Sequence, residues 1–143
     1  MNMKKKIKLE YKEEYDFFLL GVASFDKDYR FIWNINHGLE MNFSRIEDHR
    51  TKHPKTGKEQ LFSSYQYEDP ERLVNYVILS NKSETGFLMD SLKNIDFLIL
   101  IKGDVTQKDA STFKTKIQNI ENVLAAFILE AEKLKNPERL LLN

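Results

Sequence analysis

The chain contains no cysteine among its 143 residues. That absence excludes disulfides, cysteine-ligated zinc, iron–sulfur clusters and thiol catalysis together, and it fits a reducing compartment. An excess of either charge is also missing. The 22 lysines and arginines balance 22 aspartates and glutamates, so no overall field draws the chain to nucleic acid or to an anionic membrane. Long hydrophobic runs are absent too. The longest, Phe17 to Phe25, is bounded by Asp16 and Asp26 and contains Ser24, well short of the roughly 20 residues a membrane helix requires. Lys4, Lys5 and Lys6 resemble the start of an export signal, but Lys8, Glu10, Lys12, Glu13 and Glu14 stand where its apolar core would follow. The expectation is a cytoplasmic protein.

What is present suffices for a core. Hydrophobic residues make up 41% and charged residues 31%, outside the range of disordered chains. A chain of this length buries about two thirds of its unfolded surface on folding, so one domain spanning residues 1–143 is expected, with a short tail over 137–143.

Apolar patterning predicts the elements. Tyr15 to Ala23 reads as a buried strand, and Asp28 to Asn36 as a helix ended by Gly38. Tyr29, Phe31, Ile32, Trp33 and Ile35 spread over more than one side of that helix, so it needs cover on most of its girth. Tyr29, Ile32 and Ile35 are expected to face the sheet together, leaving Phe31 and Trp33 for a second cover. Met41 to Asp48 reads as a short strand and Arg50 to Gln60 as an exposed loop. Leu61 to Tyr67 and Leu73 to Ser80, joined across Asp69-Pro70, suggest an antiparallel hairpin. Ile95 to Ile101 and Val123 to Leu129 are apolar on both faces, which places them inside a sheet. Between them Thr106 and Asp109 form a capping box before Ala110, Phe113, Ile117 and Ile120 on one helical face, which makes a β-α-β unit. The fold class is α+β: a mixed, mostly antiparallel sheet of about six strands with two helices on one face, in the order β-α-β-β-β-β-α-β.

Candidate chemistry is sparse. His49 and His53 have helical spacing for two metal ligands, yet Pro54 follows and no third ligand recurs. Lys102-Gly103-Asp104 precedes a helix, but one glycine is not a phosphate loop and Asp104 would repel a phosphate. Acid pairs such as Glu13-Glu14, Asp26 with Asp28 and Glu68-Asp69 lie in polar or capping contexts. Ser63, Ser64 and Ser80 lack a nucleophile elbow. Asp96, the one charge in its apolar strand, has to be paired, hydrogen-bonded or at a wet entrance. These readings predict no catalytic residue, no metal and no cofactor.

Several segments together resemble the IPExxxVDY family of small bacterial proteins. They are Lys27-Asp28-Tyr29-Arg30 running into Trp33 and Asn36, Ser80-Asn81-Lys82-Ser83, Lys102-Gly103, and Ala126-Phe127 followed by Lys133-Leu134-Lys135. The naming motif is degraded. Its first part falls on Met89, Asp90 and Ser91 and its second on Ile95, Asp96 and Phe97, with only Asp96 identical. The resemblance implies a bacterial cytoplasmic protein but no reaction, ligand or cofactor.

Two binding readings follow. The first is a non-catalytic protein-interaction or adaptor module whose interface is Phe31, Trp33, Leu140, Leu141 and Leu142, since apolar surface is either covered or awaits a partner. That partner is another protein, a second copy of the chain included. The alternative is an RNA-associated protein, with Arg45, Arg50, Lys52, Lys55 and Lys58 on phosphates and Tyr65, Tyr67 and Tyr76 as a stacking platform. Against the platform stands cross-strand aromatic packing. A small enzyme comes third, and neither DNA nor membrane is an expected partner.

Overall fold

A computed structural model describes residues 15–141; the leading lysines and Leu142 lie outside the described residues. The elements follow as β1 (Phe18–Ser24), α1 (Asp28–Leu39), β2 (Ser44–Lys52), β3 (Glu59–Asp69), β4 (Val74–Ser80), the short β5 (Lys82–Ser83) and β6 (Gly86–Phe87), β7 (Phe97–Gly103), α2 (Gln107–Gln118) and β8 (Val123–Leu129). Six strands form one sheet in the order β2-β3-β4-β7-β1-β8, and every pairing in it is antiparallel. The result is a single α+β domain with the expected succession of elements.

Alternation along the strands divides the core in two. Leu20 and Val22 of β1 and Phe97, Ile99 and Ile101 of β7 face Phe31, Ile32 and Ile35 of α1 and Phe113 and Ile117 of α2. Both helices therefore cover one face of the sheet. The intervening residues Leu19, Leu98 and Leu100 point to the other face, where Leu88, Met89, Ala131 and Leu140 from irregular segments close over them. Short 3-10 turns at Asp90–Leu92, Ala131–Lys133 and Pro137–Leu140 build that second cover.

Local chemistry explains most boundaries. The Thr106 hydroxyl accepts from the Asp109 N–H at 3.1 Å while the Asp109 carboxylate accepts from the Thr106 N–H at 3.0 Å, so α2 starts on the expected capping box. In the β3–β4 turn, Asp69 Oδ1 accepts from the N–H groups of Glu71 and Arg72, both at 3.2 Å, the aspartate turn chemistry its place before Pro70 suggests.

Four expectations change. The helix α1 runs past Gly38 and ends with Glu40 in the left-handed region at φ 53°. Gly38 instead admits Ile120, whose Cδ1 would lie 2.6 Å from an added Cβ. Arg50 to Gln60 is not all loop: Arg50, Thr51 and Lys52 pair with Leu61, Gln60 and Glu59, because charged residues on an outer strand stay solvated while their backbone pairs inward. Tyr29 is exposed, and Phe31 takes the inward place, stacked on Phe97 with ring centroids 4.1 Å apart. The last change concerns β8. The β-α-β unit exists, but β1 lies between its two strands, so β8 is at the edge of the sheet.

Candidate interaction surface

β8 has the sequence Val-Leu-Ala-Ala-Phe-Ile-Leu, without a charge, a proline or a glycine. Among the described residues its pairing partner in the sheet is β1, and none of them supplies a strand to the outer row of its backbone N–H and C=O groups. Leu124, Phe127 and Ile128 are 56%, 48% and 40% exposed. Ala126 turns inward beneath the helices and Leu129 packs on the opposite core, so only part of each face is covered. At the other edge, β2 carries Arg45, Glu47, Asp48, Arg50 and Lys52, with Arg45 paired to Asp48 at 2.6 Å and Arg50 to Glu59 at 2.8 Å. Charges of this kind keep an edge from accepting another strand. Among the described residues, charges guard one edge of this sheet and none guards the other.

Beside β8 lies the start of α1. Asp26 Oδ2 accepts from Asn34 Nδ2 at 2.9 Å and from Asn122 Nδ2 at 3.1 Å, tying the helix to the residue before β8. The Phe25 N–H donates to the Asn122 carbonyl at 3.0 Å and sets the exposed Phe25 ring at the same end. Trp33 is 44% exposed and has its cover within its own helix. His37 stacks on it at 3.7 Å between centroids, and the Arg30 guanidinium lies 5.6 Å from the ring.

The five residues expected to form one interface are thus separated. On α1, Phe31 is 1% exposed while Trp33 presents its ring. Leu140 is buried on the opposite face of the sheet and Leu141 is half-buried beside it, while Leu142 falls outside the described residues. The tail packs on that face, which neither α1 nor α2 covers.

The tyrosine platform does not form. Tyr65 is buried, and Tyr67 and Tyr76 stack on each other at 5.9 Å beneath the helix layer, with Phe43 and Phe113 against them. Burial accordingly pushes the Tyr65 and Tyr76 hydroxyls above the usual tyrosine range. Arg50, Lys52, Lys55 and Lys58 are exposed along the β2–β3 hairpin and its turn. Lys55 also borders a depression of about 380 Å³ shared with His53, Asp90, Lys93, Lys135 and Arg139. Arg45 is the cation of this set that meets a ring, its guanidinium 5.6 Å from the Tyr65 centroid, and that ring is buried.

The remaining polar groups hold the second cover in place. The Arg139 guanidinium, buried, donates to the Leu88 carbonyl at 2.6 Å, to the Phe87 carbonyl at 3.3 Å and to Gln60 Oε1. His49 Nε2 lies 2.6 Å from the Arg139 carbonyl; a carbonyl only accepts, so Nε2 carries the hydrogen. Burial, with Arg139 nearby, lowers the His49 pKa below the ordinary histidine value. His53 points elsewhere, its Nδ1 accepting from the N–H groups of Lys55 and Thr56 and its Nε2 lying 3.5 Å from Asp90. Among the described residues no three His, Asp or Glu side chains gather into a metal site. Asp96 accepts from the Ser24 N–H at 2.8 Å and pairs with Lys82 at 2.9 Å. Asn81, fully buried, donates to the carbonyls of Leu92 and Ile95 and accepts from the Met89 N–H. Residues 89–97 are therefore a stapled turn into β7.

Comparison with family models, with curated proteins and with solved structures finds no match. No helix among the described residues is long and apolar enough to cross a membrane. The reading of the sequence missed Leu124, Phe127 and Ile128 because their strand looked central. The absence of any charge from all seven residues signalled a need for cover but not what supplies it.

Proposed function

We propose that this protein is a non-catalytic interaction module of the cytoplasm that takes up a partner's extended segment along the edge of β8. The observation that carries this reading is an uncharged edge strand with Leu124, Phe127 and Ile128 exposed. Main-chain hydrogen bonds give affinity in such strand addition, and alternate side chains give selectivity. An edge of this kind left bare invites uncontrolled pairing, so a specific occupant is the physical solution. The cysteine-free composition supports the compartment.

The test is affinity purification from native cytosol with the wild-type chain and with Phe127→Lys, each with and without ribonuclease. Strand addition predicts proteins retained by the wild type whatever the ribonuclease treatment and lost with Phe127→Lys. Retention that vanishes with ribonuclease and with Lys52, Lys55 and Lys58 all changed to Glu would replace this reading with the RNA alternative.

A further inference from the structure

We infer that the segment taken up by β8 is β8 of a second copy, so that two six-stranded sheets join edge to edge about a two-fold axis; this rests on the strand-addition reading above. Opposed residues in an antiparallel pair point to the same face, and successive residues of one strand point to opposite faces. A two-fold relating two copies of one antiparallel strand must therefore stand perpendicular to the sheet and place one residue opposite its own copy. Both helix layers then lie on the same side of the joined sheet.

Composition selects the register. With Ala126 opposite itself, Ala125 faces Phe127, Leu124 faces Ile128 and Val123 faces Leu129, so all seven residues of β8 meet an apolar residue and the largest ring meets a methyl group. Moving the centre to Ala125 sets Glu121 against Leu129, and moving it to Phe127 sets Glu130 against Leu124 and ring against ring. The β1–β8 register shifts between Ala23 and Ser24, which makes Leu124 the extra residue; positions 125–127 lie in the regular part of the strand. The other edge limits the assembly to two copies. Pairing β8 head to tail with β2 would set its apolar row against Arg45, Glu47, Asp48, Arg50 and Lys52. Growth into a filament is disfavoured, and a closed isologous pair results.

The cysteine-free chain makes the register directly testable. With Ala126→Cys, the two α-carbons sit roughly 4.5–5.5 Å apart, within the span a disulfide bridges. With Leu124→Cys they sit about 13 Å apart along the strands, at about 3.3 Å per residue, beyond that span. Sedimentation equilibrium of the full chain should give twice 16.9 kDa, falling to one copy for Phe127→Lys with the circular dichroism spectrum retained. Mild oxidation should cross-link Ala126→Cys and leave Leu124→Cys monomeric on a denaturing gel. Should Ala126→Cys fail to fold, a mixture of Ala125→Cys and Phe127→Cys chains should cross-link instead. A dimer that survives Phe127→Lys, or one that cross-links equally well through Leu124→Cys, overturns the proposal. A wild-type monomer across the whole dilution series also overturns it. In that last case, proteins still captured through Phe127 would leave the strand-addition reading standing, and none captured would remove both.

Discussion

A carboxylate at the mouth of an apolar strand persists only where donors meet it, and Asp96 meets the Ser24 N–H and the Lys82 ammonium. Replacing it with leucine leaves a mostly buried amide and a cation without their acceptor. Asp96→Leu should therefore destabilise the fold by about 1–3 kcal/mol, measured by urea denaturation, whereas Asp96→Asn, which keeps an oxygen for Ser24, should cost less. His49 makes the second prediction at this scale. Its folded pKa lies below the unfolded value of about 6.5 because burial disfavours the charged ring. The unfolded chain then binds the proton more readily, so the stability linked to His49 is complete above that unfolded value and is lost as pH falls through the window beneath it. Melting temperatures recorded from about pH 7.5 to 5 should fall more steeply for the wild type than for His49→Gln. Parallel curves would remove His49 from the acid response.

Among the elements, β7 carries the tightest backbone constraint. Gly103 pairs with Val74 at φ 114°, and a Cβ there would lie 2.2 Å from the Leu73 carbonyl oxygen. The neighbour is main chain, so it cannot swing aside as a side chain would. Gly103→Ala should cost about 1–3 kcal/mol for the backbone conformation alone, with the clash added, and should lower the urea midpoint accordingly. Lys102-Gly103-Asp104 is thus a strand end with a structural glycine. How far each element was legible depended on what kind of information its residues carry. The capping box of α2 and the aspartate turn before β4 are local chemistry, written in four adjacent residues, and both stand where the residues placed them. The inward face of α1 was less legible. Apolar residues at 29, 31, 32, 33 and 35 fit two helical phases, and the contact that decides between them is with Phe97, far along the chain. The position of β8 was illegible for a related reason: apolarity on both faces records a need for cover without naming what supplies it. A central strand meets that need within the chain, and an edge strand meets it only in part.

At the scale of the whole molecule, the sheet is closed by helices on one face and by irregular segments on the other, and these two covers respond differently to truncation. Arg139 and Leu140 belong to the second cover. The guanidinium binds the carbonyls of Phe87 and Leu88 and the Gln60 side chain, and Leu140 is buried against Leu19 and Leu100. Deleting residues Pro137 to Asn143 removes both. It leaves buried acceptors unpaired and uncovers apolar surface on β1 and β7. The melting temperature should fall, and Leu140→Ala alone should cost about 2–5 kcal/mol as a buried large-to-small change. Trp33 supplies the independent readout. It stands on the opposite side of the sheet, half-exposed and stacked on His37, with the Arg30 guanidinium of the same helix near its ring. In the truncated protein at a temperature where it remains folded, Trp33 emission should stay at the wild-type wavelength. A red shift there would mean that the tail reaches the helix layer, and the division of labour between the two covers would be wrong.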